Sequence, residues 1–279
     1  MYDLKNIQTM FLDLQNVVEE SVSVSKQING EEASERCWFI GRFITEQART
    51  SVTIWTVINP QPRPDLACLD GKANVDISSA WVLLRSLYER LLQWQWVFCN
   101  DEFEHCPNII IDIANIHSTR EREKVSANLD DHKGVLEAVN LRQQMCDEIY
   151  EHEEFDDLPE DQKRYVESVG TGNWPPMKVI DLAKKCGFSR SQHDAIYAYA
   201  SQHAHGRPRG LLQVATPSGA AMMMLGGMFY ASGILSLSLD VCRKAIAAEG
   251  VTIQLSQKAE GIAAQFEEMM TTKLGDCKY

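Results

Sequence analysis

The 279-residue sequence predicts an all-α protein: one multi-helix bundle with an N-terminal helical hairpin and a long central apolar helix. Three observations carry that expectation. Nearly every periodic stretch repeats its apolar residues every three or four positions, the helical period. No stretch alternates convincingly with period two; SVTIWTVI at 51–58 is rich in β-branched residues but continues a helical pattern. Start and stop signals, Ser or Asp before the apolar runs and Gly or Pro after them, bracket most segments.

In chain order, residues 4–27 carry Leu4, Ile7, Met10, Phe11, Leu14, Val17 and Val18 on one face, and 31–58 carry Cys37, Ile40, Phe43, Ile44, Ala48, Val52 and Trp55. Together they give the hairpin, 1–59. Three prolines in 60–76 remove amide donors and block helical turns, so this stretch reads as a long loop. The core bundle is expected over 76–248. Its clearest helix is 76–99, with Ile77, Ala80, Trp81, Leu84, Leu87, Tyr88, Leu91, Gln95 and Phe98 in period and Asp76 or Ser78 as cap. A helix over 107–128 starts with Pro107 in its first turn, and a charged helix covers 132–153. The acidic run 151–162 reads as a solvated helix end and loop.

NWPPMKVIDLAKKCG, 173–187, reads as a short helix with its prolines at the start and Gly187 as C-terminal cap. Ser189 with Gln192 forms a capping-box pattern opening a helix that ends at His205, before Gly206 and Pro208. Thr216-Pro217 begins the long apolar helix to about 248. A last amphipathic helix occupies 254–271, within a C-terminal segment 254–279. The whole, 1–279, reads as a single helical domain.

Composition bounds the function. The net charge of −12 opposes broad adhesion to nucleic acid or anionic membrane. The eight cysteines contain no C-x-x-C pair and match no zinc spacing, and the first residues, MYDLKNIQTM, lack the pattern of a secretory signal. The expectation is a cytoplasmic protein with reduced thiols, no metal and no cofactor. Residues 219–239 are uncharged and long enough for a bilayer span, but they are rich in Gly, Ala and Ser and run directly into Asp240, Arg243 and Lys244. A buried central helix, and no membrane partner, is the expected reading; a homo-oligomer interface is the other use for such a face.

The segment SQHAHGRPR, 201–209, ends a helix that carries a polar ladder. His193, Tyr197, Ser201 and His205 recur every four residues and share a face. His203 lies two positions from His205 and points elsewhere, so the two histidines do not make a metal pair. On the helix 76–99, Arg85 and Glu89 stand one turn apart on the flank of the apolar stripe, with Leu92 and Trp96 further along it. A charged pair on a half-buried flank is what a bundle uses to hold an anionic or planar ligand. Arg207, just beyond His205, is placed to frame the mouth of such a pocket.

RSLYE at 85–89, Trp174 before KVIDLAKKCG, and YAYASQHAH at 197–205 occur in that order, and in this the chain resembles the domain-of-unknown-function family 5677, mostly bacterial all-helical proteins. The resemblance covers about 76–245. It implies that Arg85, Glu89, Tyr197, Ser201 and His205 belong to one site, with the Arg/Glu helix facing the Ser/His helix. A broader likeness is to the HEPN group of helical bundles, many of them metal-independent ribonucleases of toxin and phage-defence systems; their Arg-then-His signature on one helix is absent here. The leading expectation is a ligand-binding or regulatory protein, in a defence or stress context drawn from the HEPN likeness. It carries Arg85, Glu89, Ser201 and His205 as candidate catalytic groups and Tyr197, His193, Trp96 and Arg207 as binding groups. The partner is a small anionic ligand or RNA. The alternatives are a ribonuclease using His205 as acid/base and Arg85 on the phosphate, and a structural subunit of a homo-oligomer.

Overall fold

The structure is a computed structural model, and it describes residues 4–28, 34–58, 76–106, 108–170, 174–175, 177–204 and 217–272. Ten α-helices follow in order among these: α1 (Leu4–Ile28), α2 (Glu35–Ile58), α3 (Ile77–Cys99), α4 (Ile109–Asn128), α5 (His132–Tyr150), α6 (Glu160–Glu167), α7 (Val179–Lys185), α8 (Arg190–Ala204), α9 (Pro217–Ala247) and α10 (Gln257–Thr271). Single turns of 3-10 helix occupy Asp101–Phe103 and Phe155–Asp157. No strand occurs among the described residues, and the all-α expectation holds. The expected loop 60–75 and the expected first-turn Pro107 lie outside the described residues.

The chain forms two compact units, Met1–Leu92 with Gly187–Tyr279, and Gln93–Cys186. In the first, α9 is the packing centre. Residues 231–242 are buried without interruption, and α1, α2 and α10 pack along them. Helix α9 is long and apolar enough to cross a membrane by length and composition, yet here its central turns meet protein on several sides. Small residues allow the close approaches. A side chain at Gly233 would overlap the Phe266 ring of α10. Buried Gln47 ties three helices together, its amide donating to the Leu87 carbonyl at 3.1 Å and to the Ser238 hydroxyl at 3.0 Å. Such a buried amide is tolerable because its partners are present.

The capping residues act as their positions require. Asp76 accepts the Ser79 amide at 3.0 Å at the start of α3, and Ser256 accepts the Ala259 amide at 3.2 Å at the start of α10. Ser189 accepts the Gln192 amide at 3.4 Å, the first half of the expected capping box. Gly187 has φ +81°, a left-handed conformation that favours glycine and ends α7 as expected.

In the unit Gln93–Cys186, α4 and α5 form an antiparallel hairpin. Its turn is closed by Asp131, whose side chain accepts the Gly134 amide at 3.0 Å. Two expectations are corrected here. The acidic run is not loop throughout: residues from Glu160 form α6, which buries Gln162, Tyr165 and Val166. The short helix expected over 173–187 starts only at Val179. Pro175 lies upstream in the connection, and Lys178 is extended with ψ 150°.

Candidate functional site

Helices α3 and α8 run antiparallel, and their side chains meet at three levels. At the first, Ser78 Oγ lies 3.1 Å from Nδ1 of His203. Next, Nη2 of Arg85 donates to the Tyr197 hydroxyl at 2.5 Å. Last, the Tyr88 hydroxyl lies 3.1 Å from Nδ1 of His193. As one helix number rises the other falls, so these contacts fix one register along the pair.

The middle level is the charged one. Arg85 Nε donates to Glu89 Oε1 at 2.8 Å, the expected pair one turn apart. The guanidinium carbon sits 4.5 Å from the centroid of the Tyr197 ring, within cation–π range. Side-chain exposures of 25% for Arg85 and 32% for Glu89 show a half-sheltered flank. Burial alone would lower the Arg85 pKa; the hydrogen bond and charge of Glu89, with Tyr197, outweigh it and hold the pKa above its ordinary value. Burial, then the Glu89 charge, raises the Tyr197 pKa. At neutral pH Arg85 is therefore a cation and Tyr197 a neutral phenol. The second helix shows that the sequence pattern alone does not make this site: Glu46 there pairs with Arg49 at 2.8 Å, and Arg42 lies over the Trp38 ring.

The expected ladder on α8 is partly realised. His193 stacks on Tyr197 with centroids 5.3 Å apart and planes 21° apart. Ser201 lies one turn beyond Tyr197, between the first and second levels of contact, and its hydroxyl is buried without a hydrogen-bond partner among the described residues. His205 and Arg207 lie outside the described residues. Trp96 is 2% exposed and belongs to the unit Gln93–Cys186, where its ring packs on Phe103 and Trp174.

Sequence reasoning missed Tyr88, Ser78 and Trp81 as partners and set His203 aside. His203 is buried, stacked on Trp81 at 6.3 Å between centroids, and its Nε2 has no partner among the described residues. The buried sector of α8 runs from His203 across Ala200 and Ile196 to His193, which is why both histidines are enclosed. The apolar neighbours at i−3 and i−7 were the available signal.

Among the described residues, no group of three His, Cys, Asp or Glu side chains is placed to hold a metal ion. Cys106 is fully buried and its thiol is pushed up to about 11, first by burial, so the neighbouring His105-Cys106 pair offers no thiolate nucleophile.

Burial lowers the pKa of His193, against the opposing charges of Asp194 and Glu89, and lowers those of His117 and His203 likewise. Each ring is then neutral in the folded chain where the unfolded chain binds a proton. Stability is expected to be complete above the unfolded value of about 6.5 and to fall as pH drops from 7 to 5, by about 1.4 kcal/mol per unit of depression. Urea unfolding at pH 7 and pH 5 checks this, with His193→Gln expected to flatten the difference. A steeper loss in that variant would contradict the neutral-ring assignment.

A family of unknown function matches residues 71–220, a span holding every residue of the α3–α8 contacts. No curated protein and no solved structure matches the chain.

Proposed function

The chain belongs to DUF5677, that family of unknown function, so its role must come from the α3–α8 flank itself, and we propose that this flank binds a small anionic ligand in a regulatory or sensing protein. One observation carries the reading: a guanidinium fixed on two sides and, one turn of α8 beyond its Tyr197 partner, a buried hydroxyl with no partner among the described residues. Glu89 holds Arg85 through Nε and Tyr197 holds it through Nη2, while Nη1 makes no hydrogen bond among the described residues. An arginine already locked in one plane loses little entropy when it donates to a carboxylate or phosphate oxygen. The Ser201 hydroxyl, buried one turn from Tyr197, supplies a second donor. Glu89 nearly neutralises the pair, which favours a small ligand reaching Nη1 over a long polyanion drawn by bulk charge.

Thermal unfolding in millimolar inorganic phosphate or citrate, at constant ionic strength, tests this. Wild type is expected to gain several degrees; ligand at a hundredfold its Kd contributes about 2.7 kcal/mol. Arg85→Lys keeps a charge but loses the fork and should abolish the gain, and Ser201→Ala should reduce it. An equal gain in Arg85→Lys would sink the proposal. RNA cleavage that survives chelator and disappears in His205→Ala would replace it with the ribonuclease reading. A mass that rises with concentration, with neither effect, would favour an oligomeric subunit.

A further inference from the structure

Within Gln93–Cys186, a second group of side chains has hydrogen-bonding capacity that its own packing leaves unused. Trp174 is the hub. Its ring centroid lies 5.8 Å from that of Trp96 and 6.4 Å from that of His117, and its indole N–H donates to Gln162 Oε1 at 3.3 Å. Each of these three neighbours carries a buried polar atom with no partner among the described residues: Nε1 of Trp96, Nδ1 of His117 and Nε2 of Gln162. Trp96 is 2% exposed and Gln162 0%. The Tyr165 hydroxyl, on the same short helix as Gln162, is a further buried atom without a partner among the described residues. Helices α3, α4 and α6 and the connection before α7 supply these groups.

Buried polar atoms in folded proteins are nearly always paired, and each exception needs a cause. Here several exceptions surround one tryptophan. We propose that the Trp96–His117–Gln162–Trp174 cluster is a binding site for a small, neutral, planar molecule that accepts hydrogen bonds, of the chemical class of a pyrimidine base or a pyridine carboxamide. The donor set determines the polarity. An indole N–H and an amide nitrogen can only donate, so the occupant supplies lone pairs. No side chain touching Trp174 in these contacts is charged, and burial holds the His117 ring neutral. An ion would have no ion-pair partner among the four cluster side chains, and the charges that act on His117 through space, Arg120 and Lys124 against Glu121, are of mixed sign. Two indoles and an imidazole give the cluster flat apolar faces, which suit a flat ligand. Trp174 is half-buried, so the cluster reaches solvent through its hub. The site shares no residue with the Arg85 flank.

The test follows the indole N–H resonances of 15N-labelled protein during titration with uracil and with nicotinamide. Trp96→Phe assigns the Trp96 signal among the six tryptophans. The expected result is a saturable shift of that signal, with affinity about tenfold weaker in Gln162→Leu, because a site built to donate hydrogen bonds loses much when a donor goes. His117→Phe, which keeps a flat ring and removes Nδ1, gives an independent reading should Gln162→Leu fail to fold. Toluene is the apolar control and should leave the signal unmoved. A Trp96 signal that responds to neither probe, that responds equally to toluene, or that keeps full affinity in both variants would overturn the proposal and leave the cluster as packing or a water site.

Discussion

Trp81→Ala is expected to lose about 3–5 kcal/mol of stability and to lower Tm by on the order of 10 °C, the largest effect of any single change on the α3–α8 pair. The indole is 2% exposed and lies where three helices meet. Its ring centroid is 5.7 Å from Tyr199 and 6.3 Å from His203 on α8, and 6.0 Å from Tyr230 on α9. Its N–H donates to the Met223 carbonyl at 3.1 Å. Alanine removes the contacts and leaves a cavity that surrounding rings cannot fill without leaving their rotamers. Trp81→Phe separates the two contributions: it keeps most of the ring and loses the hydrogen bond, so about 1–2 kcal/mol is expected. Urea unfolding followed by near-ultraviolet circular dichroism measures both. The ligand site should suffer as well, because His203 rests on Trp81 two turns from Tyr197 and a loosened α8 carries Tyr197 away from Arg85. A cost below about 1 kcal/mol for Trp81→Ala would mean that this packing is wrong.

The helices were legible because periodicity and caps are local. Asp76 and Ser189 cap the helices that the sequence predicts them to open, and Gly187 closes α7. The Arg85–Glu89 pair and the facing of α3 and α8 were legible for different reasons. The pair follows from spacing, whereas the facing came from the family resemblance. Which residue of α3 meets which of α8 was not legible, because register depends on packing angle, and so Tyr88 and Ser78 were missed as the partners of His193 and His203. Trp96 exposes another limit. Helical spacing places Arg85, Glu89, Leu92 and Trp96 on one flank of a straight rod, but α3 serves two compact units, and spacing cannot show where the chain divides. Helix α6 escaped notice because its acidic first turn dominates an eight-residue element whose buried residues are only Gln162, Tyr165 and Val166.

Gly233→Ala is expected to destabilise by about 2 kcal/mol, although alanine is the better helix former by about 1 kcal/mol. The sign turns on one close approach. A Cβ at Gly233 would overlap three atoms of the Phe266 ring. That ring cannot swing aside cheaply: it is 1% exposed and touches Phe229 and Tyr230, with centroids 6.2 and 6.3 Å away. Helices α9 and α10 must therefore separate or Phe266 must leave its rotamer, and either outweighs the gain in propensity. Gly261 on α10 supplies the control, since nothing lies within 4 Å of a Cβ there. Gly261→Ala should stabilise by about 0.5–1 kcal/mol. The same substitution in neighbouring helices should thus raise the urea midpoint at one site and lower it at the other. Adding Phe266→Leu should recover part of the Gly233→Ala loss, because the two residues share one contact and their effects are not additive. A neutral or stabilising Gly233→Ala would show that α9 and α10 do not approach this closely, and the packing around the apolar helix would have to be redrawn.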